Sequence, residues 1–126
     1  MPTILIVDDD ENLLKLYAAN LHDDGYEVIT TRDAREALKS FERDRPDLVV
    51  LDIRLPGMDG LETIGHLLSI DRAVPVIFHT SYAHFRENFL SWSADAYVDK
   101  TSDMGELKRT IRKLLASRAH LRAEKG

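Results

Sequence analysis

The chain has 126 residues, 44% hydrophobic and 31% charged, enough for one globular domain with a real core and no need of staples. With no cysteine, disulfides, thiolate metal sites and thiol catalysis are excluded, and no apolar run is long enough to span a bilayer. A net charge of −5 argues against nucleic acid as a direct partner, although seven of the 17 Lys and Arg residues crowd into residues 108–125 against a single acid, Glu124. That basic end reads as a solvated helix face. The start Met1-Pro2-Thr3 has no basic leader and enters a strand-like run at once, so a cytoplasmic location is expected.

Strand and helix patterns alternate along the chain. Thr3–Val7 is a continuous apolar strand that stops in Asp8-Asp9-Asp10. Glu11–Asp23 carries Leu13, Leu14, Leu16, Tyr17 and Leu21 at helical spacing, and Gly25 ends it. Glu27–Thr31 predicts a second strand. Ala34, Ala37, Leu38 and Phe41 predict a helix over about 33–44. Pro46 punctuates, and the third strand, Leu48–Leu51, stops in Asp52. Pro56-Gly57-Met58-Asp59-Gly60 is a strong turn signal. Leu61, Ile64, Leu67 and Leu68 make a third helix, and Pro75 introduces a strand at 76–79. A weaker helix is expected at about 83–92, a short strand at 96–98 and a last helix at about 103–122, opened by a capping box of Asp103 and Glu106. Short β-branched strands between amphipathic helices indicate βαβ units, a parallel sheet and helices on both faces.

The two acid-terminated strands carry the chemistry. A buried unpaired carboxylate is costly, so acids at strand ends imply a compensating cation or a reaction. In a doubly wound sheet, ligands bind beyond the carboxyl ends of the strands. There this sequence places Asp8 and Asp9, then Asp52, then Thr80 and Ser81, then Lys100. These are hard oxygen ligands for Mg²⁺, a carboxylate nucleophile, hydroxyl donors and a cation, a set suited to metal-assisted phosphoryl transfer. Asp10 and Glu11 belong at the start of the first helix, where acids complement the dipole. The histidines at 22, 66, 79, 84 and 120 show no metal-ligand spacing. His79 stands out among them because it directly precedes Thr80.

At these residues the chain resembles the receiver domain of two-component response regulators. The likeness runs from Ile4-Leu5-Ile6-Val7-Asp8-Asp9-Asp10 through Leu51-Asp52-Ile53-Arg54-Leu55-Pro56-Gly57-Met58-Asp59-Gly60 to Pro75-Val76-Ile77, Thr80, Tyr97 and Lys100. It implies an α/β, flavodoxin-like (βα)5 fold with a parallel sheet of order 2-1-3-4-5. It implies one receiver domain over 1–126 that is a switch rather than an enzyme, catalysing only its own phosphorylation and dephosphorylation. Asp52 would take a phosphoryl group from a histidine kinase, a phosphotransfer protein or a small phosphodonor. Asp9, Asp52 and the backbone carbonyl of Arg54 would ligate Mg²⁺, with Asp8 acting through a water. Lys100 would pair with carboxylate or phosphoryl oxygens, and Thr80, with Ser81 beside it, would bind the phosphoryl group. Tyr97 would turn inward as Thr80 moves, changing the face made by the fourth helix, fifth strand and fifth helix, where a downstream protein or a phosphorylation-dependent homodimer partner binds. The bland reading of Tyr97 is a half-buried strand tyrosine.

Departures from the family pattern carry their own expectations. Thr101 stands where receivers commonly have a cis-proline, so a trans Lys100–Thr101 bond is expected. The 80–100 segment is short and carries Tyr82, Phe85, Phe89 and Trp92 at near-helical spacing, either core or a partner patch. Bulky Arg54 and Tyr82 flank the path of the hydrolytic water and suggest a long-lived phosphoryl state. A stand-alone regulator is favoured over a receiver cut from a longer protein with a DNA-binding or enzymatic effector. The enzymatic alternative is a haloacid-dehalogenase-like phosphatase, whose Asp-x-Asp motif Asp8-Asp9-Asp10 also satisfies, with Asp8 as nucleophile.

Overall fold

A computed structural model describes residues 1–52, 54–55, 58–80, 95–100 and 103–125. The elements are β1 (Thr3–Val7), α1 (Glu11–Asp23), β2 (Glu27–Thr31), α2 (Ala34–Asp44), β3 (Leu48–Leu51), β4 (Arg54–Leu55), β5 (Met58–Asp59), α3 (Gly60–Ile70), β6 (Val76–Thr80), β7 (Ala96–Asp99) and α4 (Met104–Lys125). Five strands form one sheet of order β2-β1-β3-β6-β7, and every pairing in it is parallel. The expected order, with the doubly wound fold it implies, is therefore the observed one.

The central strands read as unbroken apolar runs because both their faces are covered. Leu5 and Val7 of β1, Val49 and Leu51 of β3, and Val76 and Phe78 of β6 pack on Ala37 and Phe41 of α2 and Ile64 and Leu67 of α3. The alternate residues Ile4, Ile6, Leu48, Val50 and Ile77 pack on Leu14, Tyr17 and Leu21 of α1 and Leu107 and Ile111 of α4. Leu16 does not join the apolar stripe of α1, since it is 53% exposed. With Leu14, Tyr17 and Leu21 facing the sheet, residue 16 falls on the opposite side at 100° per residue.

Helix ends follow local chemistry. Asp10 caps α1 by accepting the Asn12 and Leu13 amides at 3.0 and 3.3 Å. At the other end Tyr26 N–H donates to the Leu21 carbonyl and Gly25 N–H to the His22 carbonyl, with Gly25 at φ 91°. This left-handed closure favours glycine and tucks Tyr26 onto Leu21 in the core. Asp33, expected inside the second helix, instead caps it by accepting the Glu36 amide at 2.8 Å. Asp103 likewise accepts the Glu106 amide at 2.9 Å to open α4, which extends to Lys125 rather than 122.

Part of the 56–60 stretch read as a turn signal joins a small antiparallel pairing, with Arg54 opposite Asp59 and Leu55 opposite Met58. The helix expected at about 83–92, its aromatics Tyr82, Phe85, Phe89 and Trp92, and the Lys100–Thr101 peptide lie outside the described residues.

Candidate functional site

Three parallel strands deliver the site. β1 and β3 are adjacent and in register, Val7 opposite Leu51, so the residues that follow each, Asp8 and Asp52, emerge side by side. The Asp52 amide donates to the Val7 carbonyl at 3.0 Å and the Asp8 amide to the Thr31 carbonyl at 3.1 Å, extending the ladders to the acids themselves. Asp8 and Asp52 are buried, while Asp9 is exposed. One ligand oxygen from each of Asp8, Asp9 and Asp52 lies within 4.8 Å of the other two.

Lys100 follows the edge strand β7 and reaches across. Its Nζ lies 2.6 Å from Asp8 Oδ2 and 2.7 Å from Asp52 Oδ2. Both are short charge-assisted contacts, strong because little water reaches them. Burial by itself favours the neutral amine, but the hydrogen bonds and charges of Asp52 and Asp8 outweigh it and hold the Lys100 pKa above the ordinary lysine value. The other oxygen of Asp8 accepts the Asp10 amide at 2.9 Å. Asp8 is thus engaged on both oxygens, which suits a supporting acid better than the nucleophile of the phosphatase alternative.

The acid set fits a divalent cation. Three carboxylates facing one ammonium leave a formal excess of two negative charges, and their oxygens are the hard ligands Mg²⁺ takes. Asp10 spends its Oδ1 on the Asn12 and Leu13 amides, the helix-start role the sequence suggested.

Arg54 lies in β4, two residues beyond Asp52. Thr80 is the last residue of β6 and pairs in register with Asp99, immediately before Lys100. Ser81 lies outside the described residues. Tyr97 is half-buried and packs on the core between the sheet and helices α2 and α3. The site therefore brings Asp8, Asp9, Asp52 and Lys100 into one cluster, with Arg54 and Thr80 at its chain borders.

Two residues near the cluster were not given roles in the sequence reading. His79 is buried on the α1 side with its ring 5.1 Å from that of Tyr17. Neither ring nitrogen has a hydrogen-bond partner among the described residues. Burial, reinforced by the Lys100 charge, lowers its pKa to about 4, so it is neutral at pH 7. Arg32, exposed after β2, donates from Nη2 to the Asp9 carbonyl at 3.3 Å. A cation directly following the strand next to β1 was the available signal.

A doubly wound parallel sheet with acids closing two central strands, answered by a lysine after its edge strand, defines the class of two-component receivers. The family model described as response regulator receiver domain matches residues 4–112, and the chain belongs to that family of signalling switches. It is 36% identical over 114 residues to the alkaline phosphatase synthesis transcriptional regulatory protein PhoP of Bacillus subtilis, covering 89% of this chain and 48% of that protein. The chain spans about half the length of the curated relatives it matches. Among solved structures it is similar to the response regulator TrrA of Thermotoga maritima in complex with Mg²⁺-BeF, at 41% identity and TM-score 0.84, over 90% of this chain and 99% of that one. TrrA in complex with the histidine kinase ThkA matches at 42% identity and TM-score 0.83, over 91% and 99% of the two chains. A CheY-like receiver from Methanospirillum hungatei gives 31% identity and TM-score 0.89, over 95% and 98%. No described helix is long and apolar enough to cross a membrane.

Proposed function

We propose that Asp52 is the phosphoryl acceptor of this receiver, and that residues 1–126 act as one switch domain. The observation that carries the reading is the Lys100 ammonium, held between the buried Asp52 and Asp8 carboxylates at 2.7 and 2.6 Å. A carboxylate oxygen of Asp52 forms the new O–P bond. The donor's P–N bond, for a phosphohistidine kinase or phosphotransfer protein, or its P–O bond, for a small acyl phosphate, breaks, and the leaving group keeps the electron pair. Lys100 stays at the site and balances charge on the transferred oxygens. Asp9, Asp52 and the Arg54 backbone carbonyl would hold Mg²⁺ directly, with Asp8 acting through water. When bound, the ion offsets negative charge on the incoming phosphoryl group.

Transfer replaces one carboxylate charge by a phosphoryl group of about two negative charges. Thr80 and Ser81, at the end of β6 and just past it, would take up that group by hydrogen bonding, and Tyr97 would move with them. The face carrying β7 and α4 then changes for a downstream protein or a second phosphorylated copy. The Mg²⁺-BeF and kinase complexes of TrrA support this reading. The transcriptional regulators among the relatives suggest a DNA-binding effector outside these residues in the whole protein, in the cytoplasm. The domain itself needs no enzymatic activity beyond its own phosphorylation cycle.

The test is direct. Incubated with Mg²⁺ and acetyl phosphate, the wild type gains one phosphoryl mass and Asp52→Asn gains none. No gain in the wild type, or an equal gain in the variant, overturns the assignment.

A further inference from the structure

We propose that Arg32 is a positioning residue for the metal-site acid Asp9, a strap running from the start of α2 to the loop that carries the acid. The inference rests on the reading of Asp8, Asp9 and Asp52 as a divalent-cation site. It concerns the peptide unit that joins Asp9 to Asp10. The N–H of that unit donates to Asp8 Oδ1 at 2.9 Å, and its carbonyl accepts from Arg32 Nη2 at 3.3 Å. One rigid plane is therefore gripped at both ends, which fixes the backbone torsion between it and the Asp9 α-carbon.

That torsion matters more at Asp9 than at its neighbours. Asp8 and Asp52 are buried and tied by Lys100, and Asp10 is tied to the helix it caps. Asp9 is exposed, so its carboxylate depends on the backbone to stay within 4.8 Å of the other two. The anchor of the strap is itself held. Arg32 follows Thr31, whose carbonyl accepts the Asp8 amide. The Arg32 amide faces Glu36 Oε2 at 3.4 Å, and the Glu36 amide is fixed by the α2 cap Asp33 at 2.8 Å. Past the last main-chain bond between β1 and β2, the guanidinium continues the pairing by one more rung.

Electrostatics alone predicts the opposite sign, and this makes the proposal testable. Removing a cation beside an acidic cluster strengthens its attraction for Mg²⁺. Removing a strap loosens one ligand and weakens binding. Calorimetric titration of the unphosphorylated chain with Mg²⁺ decides between them. Arg32→Ala should bind about three- to tenfold more weakly, the factor commonly made by one ordinary, solvent-exposed hydrogen bond. Arg32→Lys, which keeps the charge and a donor, should recover part of the loss. The Asp10 amide should also exchange its proton faster in Arg32→Ala without metal. Mg²⁺ binding in Arg32→Ala as tight as wild type, or tighter, overturns the strap alone. A wild type that takes no Mg²⁺ overturns the metal reading and the strap with it.

Discussion

Replacing Lys100 by methionine keeps a long side chain but removes the ammonium that separates two buried acids. The oxygens it bridges belong to side chains only 3% and 8% exposed, and the cluster's ligand oxygens lie within 4.8 Å of one another. At an effective protein dielectric of about 20, two like charges at that separation repel by about 3 kcal/mol. Deleting one partner of a buried pair commonly costs about 3–5 kcal/mol, because the remaining charge cannot regain its water. Lys100→Met should therefore lose about 3 kcal/mol in urea unfolding at neutral pH with chelator, a midpoint shift of about 1–2 M. At the proposed Mg²⁺ site the ion would supply the missing positive charge and would face no ammonium competing for the same oxygens. Its stabilising increment should thus be larger in the variant than in the wild type at equal concentration. A variant as stable as wild type in chelator, or equal Mg²⁺ increments in both proteins, would refute the reasoning.

Asp10 and His79 offer two independent checks. Asp10→Ala should cost about 1 kcal/mol through the lost α1 cap, read by urea unfolding, while Mg²⁺ affinity falls far less than in Asp9→Ala. An equal fall in both would place Asp10 among the metal ligands. For His79 the folded pKa of about 4 lies below the ordinary 6.5, so the unfolded chain binds the extra proton between those values. Its contribution to stability is complete above pH 6.5 and is lost as pH falls toward 4, with a slope of up to about 1.4 kcal/mol per pH unit. Unfolding midpoints of His79→Leu across that window should show a flatter acid-side decline, and parallel declines would contradict the burial argument.

Much of this was legible in the residues because local rules and tertiary structure agree. The apolar run of β1 is buried on both faces, which is why a continuous apolar pattern, without alternation, marked it as a strand. Asp10 could be assigned to the helix because an acid one residue before a helical period satisfies otherwise unpaired amides. Asp33 was misplaced by one residue for a related reason: a cap and a first-turn residue look alike until the backbone torsion is known. Leu16 misled because composition alone does not say where a helical stripe ends. The Lys100 bridge was anticipated as a role, yet its simultaneous contact with Asp8 and Asp52 depends on where β7 stands in the sheet. Arg32 escaped for the opposite reason. Its reach to a backbone carbonyl leaves no side-chain pattern, only a cation after a strand whose neighbour ends in acids.

The ordering β2-β1-β3-β6-β7 gives the cluster an uneven mechanical footing. Asp8 and Asp52 are mounted on strands braced from both sides, whereas Lys100 hangs from the margin, where β7 has a single neighbour in the sheet among the described residues. On that footing, charge added at the acids is expected to shift the lysine's mounting sooner than theirs.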